Sequence, residues 1–147
     1  VEEDGQTDTV NGELALSVDT TRYPTVSFSH ASDAFSVTED GETVVLADWL
    51  TRLTVDESSQ PPAYALTGNG SIDVPRHGAV GYEFLEPFQG FGEDRPDSGV
   101  LLIEGANGGS IRVTALSNTQ VQLEIDYDGL GVDETLTLTW DEIDDPA

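Results

Sequence analysis

Residues 110–140 read SIRVTALSNTQVQLEIDYDGLGVDETLTLTW, and through three segments of that stretch apolar side chains alternate with polar ones. Ile111, Val113 and Ala115 make the first set; Val121, Leu123, Ile125 and Tyr127 the second; Leu136, Leu138 and Trp140 the third. A period of two sends successive side chains to opposite faces of an extended chain, so each set marks the buried face of a strand whose other face is wet. Turn chemistry separates the sets: Asn107-Gly108-Gly109 precedes the first, Ser117-Asn118 the second and Asp128-Gly129 the third. With residues 100–103 in front, the pattern predicts a four-stranded antiparallel meander.

Working outward, the earlier residues repeat the vocabulary less regularly. Strands are expected at about 13–18, 25–29, 34–38, 43–55, 63–66, 71–74 and 79–85. Asp40-Gly41 is the expected turn between the third and fourth of these, and Gly68-Asn69-Gly70 reads as another hairpin turn. A run of 43–55 is long for one strand, which predicts a bulge or bend near Asp48-Trp49. Residues 1–10 hold Glu2, Glu3, Asp4 and Asp8 without apolar periodicity, so they read as a flexible acidic leader, with a single β domain over 11–147. The expected fold is all-β: a single antiparallel domain of about ten strands, arranged as a barrel, a half-barrel or a two-sheet sandwich. Trp140, Leu138, Leu136, Ile125, Leu123, Val121, Val113 and Ile111 should line its core, with Trp49 and Leu53 reaching it from the earlier half.

The 147 residues include 29 acids against five basic residues, all arginine, for a formal net charge of −24. Such a surface repels phosphates and anionic headgroups, which argues against a nucleic-acid partner and leaves cations, basic proteins or neutral ligands. Cysteine and methionine are absent, excluding disulfides, thiolate chemistry and thiolate metal sites. No run of about twenty apolar residues could cross a membrane as a helix. A chain opening on Val1 reads as a mature or trimmed product, whose lipid anchor, if any, would lie upstream.

Residues 98–143 carry a resemblance. The pieces are SGVLLIEGANGGS at 98–110, TQVQL at 119–123, Asp126-Tyr127-Asp128-Gly129 and Thr139-Trp140. Together they resemble the end of a loosely defined family of uncharacterised exported bacterial β-rich proteins, many of them lipoproteins. The resemblance covers about a third of the chain and implies an exported location (periplasm, outer-membrane surface or exterior) and a β-rich fold, but no activity. In that family the turn often reads Asp-x-Asp-Gly-Asp-Gly, whereas Leu130 stands at the fifth place here.

Two clusters are candidate sites. Asp126, Asp128 and Asp133 offer closely spaced carboxylates around Gly129 and Gly131, the ingredients of a calcium loop. A full loop would want an oxygen ligand at Leu130 and a glutamate at Thr137, and its flanks would be helical. The competing reading is a hairpin turn whose aspartates cap backbone amides. Tyr82, Phe84, Phe88 and Phe91 lie beside Glu83 and Glu86, a pairing of rings and carboxylates that can hold a sugar or an apolar ligand, or can simply pack. Glu83 and Glu86 also admit a glycosidase acid pair. His30 and His77 lack the spacing of a zinc site, and no Gly-x-Ser-x-Gly elbow accompanies them. The leading expectation is a non-catalytic, envelope-associated module without a cofactor, binding a small or hydrophobic ligand or a protein partner. A calcium-dependent surface module and a carbohydrate hydrolase using Glu83 and Glu86 are the alternatives.

Overall fold

A computed structural model describes residues 9–39, 41–75 and 77–144. They form ten strands and one short helix: β1 (Thr9–Gly12), β2 (Ala15–Arg22), β3 (Thr25–Glu39), β4 (Glu42–Asp56), β5 (Ala63–Val74), β6 (Gly78–Phe91), β7 (Ser98–Gly105), β8 (Ser110–Ala115), β9 (Gln120–Asp126), β10 (Glu134–Thr139) and α1 (Trp140–Asp144). All strands join one antiparallel sheet in chain order from β3 to β10, and the sheet does not close into a barrel. β1 and β2 share the outer edge of β3, pairing with its two ends. The Ser32 hydroxyl bridges the gap between them by donating to the Glu13 carbonyl at 2.7 Å.

The C-terminal meander forms as the alternation predicts, as β7 to β10. Its register aligns Leu101, Val113, Leu123 and Leu136 in one cross-strand row, and Ile103, Ile111 and Ile125 in the next. One difference lies at its end, where Trp140 opens α1 instead of finishing β10. Thr139 caps that turn: its hydroxyl accepts the Glu142 amide at 3.3 Å, and the Glu142 carboxylate accepts the Thr139 amide at 2.7 Å. This reciprocal capping satisfies donors at both ends of the first turn.

The expected bend in β4 is present. Asp48 has a φ of 48°, and the pairing with β5 slips between Ala47 and Leu50. The hairpin expected at Gly68-Asn69-Gly70 is absent, because β5 runs unbroken through it and pairs there with β4. The glycines serve close approach instead. A Cβ on Gly68 would stand 2.3 Å from the Leu50 carbonyl oxygen, so only glycine lets the two backbones meet at the bulge. The two short strands expected at 25–29 and 34–38 are likewise one strand, β3.

Of the expected leader, residues 1–8 lie outside the described residues, and Thr9 and Val10 belong to β1. Asp40 of the expected turn also lies outside them.

Followed through the register, most large apolar residues of the strands fall on one face. Val18, Phe28, Leu53, Leu66 and Phe88 form a single row across β2 to β6. The opposite face is mixed, one of its rows running Leu50, Asn69, Glu83, Leu102, Arg112 and Glu124. On the apolar face the core is small and off-centre. Phe88, Val113, Ala115, Val121 and Trp140 are buried, with Leu66, Phe84, Leu101, Ile103, Leu123 and Leu138 packed around them.

The Phe88 and Trp140 rings lie 6.0 Å apart, although β6 and β10 are four strands apart in the sheet. Strands spaced about 4.8 Å would hold them much farther apart if flat, so the sheet curls over its C-terminal half and α1 folds Trp140 into the trough. The Trp140 indole N–H donates to the Ser117 carbonyl at 3.1 Å, fixing the ring there. Arg95 pairs with Asp144 beside it. Two expected core residues fall outside this centre: Ile111 stands at the open end of the trough and Leu53 in the uncurled half, each 36% exposed.

Candidate functional site

The curl creates a mouth at the end of the trough opposite Trp140. Its cavity measures about 460 Å³, within the range that holds small organic ligands. Val80, Ile103, Ile111 and Ile125 make the floor, and His77, Asn107, Asp126 and Tyr127 stand around it. The floor is apolar because Ile103, Ile111 and Ile125 are register partners across β7, β8 and β9. It stays open because the connection from β7 to β8 is a glycine turn, with Gly108 at a φ of 84° and the Gly105 amide donating to the Gly109 carbonyl at 2.8 Å.

Asp126 links this mouth to the aspartate turn. Its Oδ1 accepts the amides of Asp128 at 3.1 Å and Gly129 at 2.7 Å, and its Oδ2 accepts that of Gly131 at 3.1 Å. Asp128 accepts the Leu130 amide at 3.0 Å, and Asp133 the Tyr127 amide at 2.8 Å. The three carboxylates offer oxygens within 4.8 Å of one another, but most of those oxygens are engaged by the loop's own amides. The turn is therefore organised as a capped loop of the kind the sequence offers as its competing reading. Partial desolvation pushes the Asp126 carboxyl up, while hydrogen bonds from Gly129, Asp128, Gly131 and Leu130 outweigh it and hold the group below its ordinary range. The mouth thus carries a fixed negative charge at neutral pH. Tyr127 donates its hydroxyl to Glu134 at 2.8 Å; that bond and the nearby carboxylate charges stabilise the neutral phenol and raise its pKa.

The aromatic and carboxylate cluster is divided by the pleat. Tyr82, Phe84 and Phe88 lie on the apolar face, with ring centroids 6.4 Å apart for Tyr82 and Phe84 and 5.2 Å for Phe84 and Phe88. Trp49 extends this chain, 4.9 Å from Tyr82. Tyr82 also donates to the Leu50 carbonyl at 3.2 Å, tying the bulge of β4 to the ring chain, and burial raises its pKa. Glu83 pairs with Asn69 and Leu102, and Glu86 with Val100, which puts both carboxylates on the polar face. Phe91 pairs with Ala63 on that same side and is exposed. Rings and carboxylates that neighbour one another in sequence therefore do not share one pocket. His30 sits on the apolar face opposite Leu16 and Thr51, while His77 lies at the mouth, so the two histidines are not brought together.

Sequence reasoning reads Ile111 and Ile125 as core and does not find the mouth. The available signal is the glycine-rich stretch 105–109 next to an isoleucine row, but that row exists only once the register of β7, β8 and β9 is known. Comparison with known proteins returns no matching family model, no matching curated protein and no matching solved structure.

Proposed function

We propose that the protein is a non-catalytic, exported binding module that takes a small, largely apolar ligand into the mouth of its half-closed sheet. The observation that carries this reading is the cavity of about 460 Å³ with an isoleucine floor and polar groups at its rim. An apolar floor favours a hydrocarbon or aromatic body, because burying it removes apolar surface from water at both partners. Ionised Asp126 at the rim opposes a carboxylate or phosphate head and favours a neutral or cationic one that can donate a hydrogen bond. The exported, envelope-associated location rests on the resemblance of residues 98–143. The placement of Glu83 and Glu86 away from the aromatic face favours binding over hydrolysis.

The neutral probe N-phenyl-1-naphthylamine tests the reading directly. Saturable fluorescence enhancement with about one probe per chain is expected, along with binding at least about tenfold weaker for the carboxylate-headed polyene cis-parinarate. Ile111→Glu, at a half-exposed position on the floor, should weaken the naphthylamine at least about tenfold while far-UV circular dichroism stays unchanged. Failure to saturate, or indifference to Ile111→Glu, removes the mouth as a binding site.

A further inference from the structure

Among the described residues, nothing covers the other half of the apolar face. Across β2, β3 and β4 the row Val18, Phe28 and Leu53 is 63%, 44% and 36% exposed, and Leu16 beside it is 75% exposed. Following the register, this part of the face presents Leu16, Val18, Val26, Phe28, His30, Ser32, Trp49, Thr51, Leu53 and Val55. Not one is an aspartate, glutamate or arginine, in a chain with 29 acids. Asp19, with its partner Ser27, points the other way, Glu39, Glu42 and Asp56 stand at strand ends, and Asp33 and Asp48 lie at the irregular step of β3 and β4.

We propose that a second copy of this chain packs its sheet face to face over that row, so that two open sheets make one sandwich about a two-fold axis. This surface is separate from the mouth and does not depend on a ligand there. Four observations choose this occupant. The accessible surface is 9830 Å², about a third more than the roughly 7,300 Å² of a compact monomer of 15.7 kDa. An obligate dimer takes about 1,000–2,500 Å² from each chain, and a surface this far above the compact-monomer value can supply it. The row Val18, Phe28 and Leu53 runs straight across three paired strands, a layout that suits another pleated sheet packed about 10 Å away. A basic partner would be drawn to the acidic face and turns, not to a patch without charge. Finally, residues 1–8 offer one apolar side chain, Val1, against Glu2, Glu3, Asp4 and Asp8, a composition unsuited to covering the row. A self-complementary patch is what a two-fold interface requires.

The two copies each carry −24, so their repulsion is long-ranged and screened by salt, while the apolar contact is not weakened by it. Sedimentation equilibrium of the whole chain over about 1–100 µM, at about 0.05 and 0.5 M sodium chloride, reads the outcome. A rise from 15.7 kDa toward twice that mass is expected with concentration, at lower concentration in the higher salt. Val18→Asp with Phe28→Asp should weaken self-association at least about a hundredfold, because each substitution buries two unpaired carboxylates in a symmetric contact. Leu16→Asp alone, at an edge position already 75% exposed, gives a second readout should the double variant not fold. A wild-type chain that stays at 15.7 kDa at the highest concentration and salt overturns the proposal, and one that does so while binding a hydrophobic dye lost in Leu16→Asp assigns the face to another occupant. A dimer indifferent to Leu16→Asp and to the double variant overturns it too.

Discussion

Replacing Trp140 by alanine tests whether the curl of the sheet is held from its C-terminal end. The residue is 9% exposed and lies against Phe88, where the helix after β10 meets β6 across the trough. A tryptophan buries about 150–250 Å², worth about 4–6 kcal/mol at roughly 25 cal/mol per Å² as an upper bound. Large-to-alanine substitutions in cores cost about 3–5 kcal/mol, and this core is small, with only five apolar side chains buried among the described residues. The site also loses the indole N–H that satisfies the Ser117 carbonyl. A cost of about 3–5 kcal/mol is therefore expected, a large share of the stability of an ordinary domain. Trp140→Phe keeps most of the packing and loses the hydrogen bond, which should cost about 1–2 kcal/mol. The assay is urea denaturation followed by far-UV circular dichroism, at a protein concentration low enough to keep self-association out of the midpoint. A loss under about 1 kcal/mol for Trp140→Ala would refute the idea that this ring closes the trough.

Other positions make separate tests. Gly68→Ala should cost more than about 2 kcal/mol in the same assay, since its Cβ meets the Leu50 carbonyl oxygen at 2.3 Å and relief requires one of the two backbones to move. Thr139→Ala should cost about 1 kcal/mol by removing a helix cap, with the loss confined to α1 in hydrogen exchange. Asp126 has a folded-state pKa below its unfolded value. Its contribution is therefore complete above the ordinary aspartate pKa near 4 and disappears as pH falls through the folded value. Asp126→Asn should flatten the acid limb of the melting temperature against pH, and an unchanged limb would show that the capped turn does not couple to folding.

What was legible in the sequence depended on whether local chemistry and tertiary use agreed. Ile111 to Trp140 could be read because strict alternation was punctuated by Ser117-Asn118 and Asp128-Gly129, which really are turns. The bend at Asp48 was legible from length alone, since a single straight strand over 43–55 is unusual. Gly68-Asn69-Gly70 misled for a physical reason: glycine suits both a turn and a close backbone approach, and only the partner strand decides between them. The ring and carboxylate cluster was misleading in another way. The same period of two that identifies β6 sends Tyr82 and Glu83 to opposite faces, so adjacency in sequence meant separation in space. The aspartate turn was readable as a capped loop, but its position beside the isoleucine floor depended on how far β7 to β10 curl.

The exposed half of the apolar face was the least legible feature. Leu16 and Val18 alternate in β2 as Val121, Leu123 and Ile125 do in β9, yet Val121 is fully buried and Leu16 is 75% exposed. Alternation reports which side of a strand is apolar, not whether anything covers that side. The charge pattern supplies the missing constraint. Concentrating the carboxylates elsewhere leaves the row across β2, β3 and β4 free of charge, and the net charge gives every copy a strong long-range repulsion against indiscriminate aggregation. Only an association that keeps the acidic faces outward gains apolar contact without bringing carboxylates together. Face-to-face pairing of two sheets satisfies that condition, whereas stacking one chain's acidic face on the next chain's apolar face would bury Glu83 and Glu124. The same segregation that permits a dimer thereby disfavours an open-ended stack.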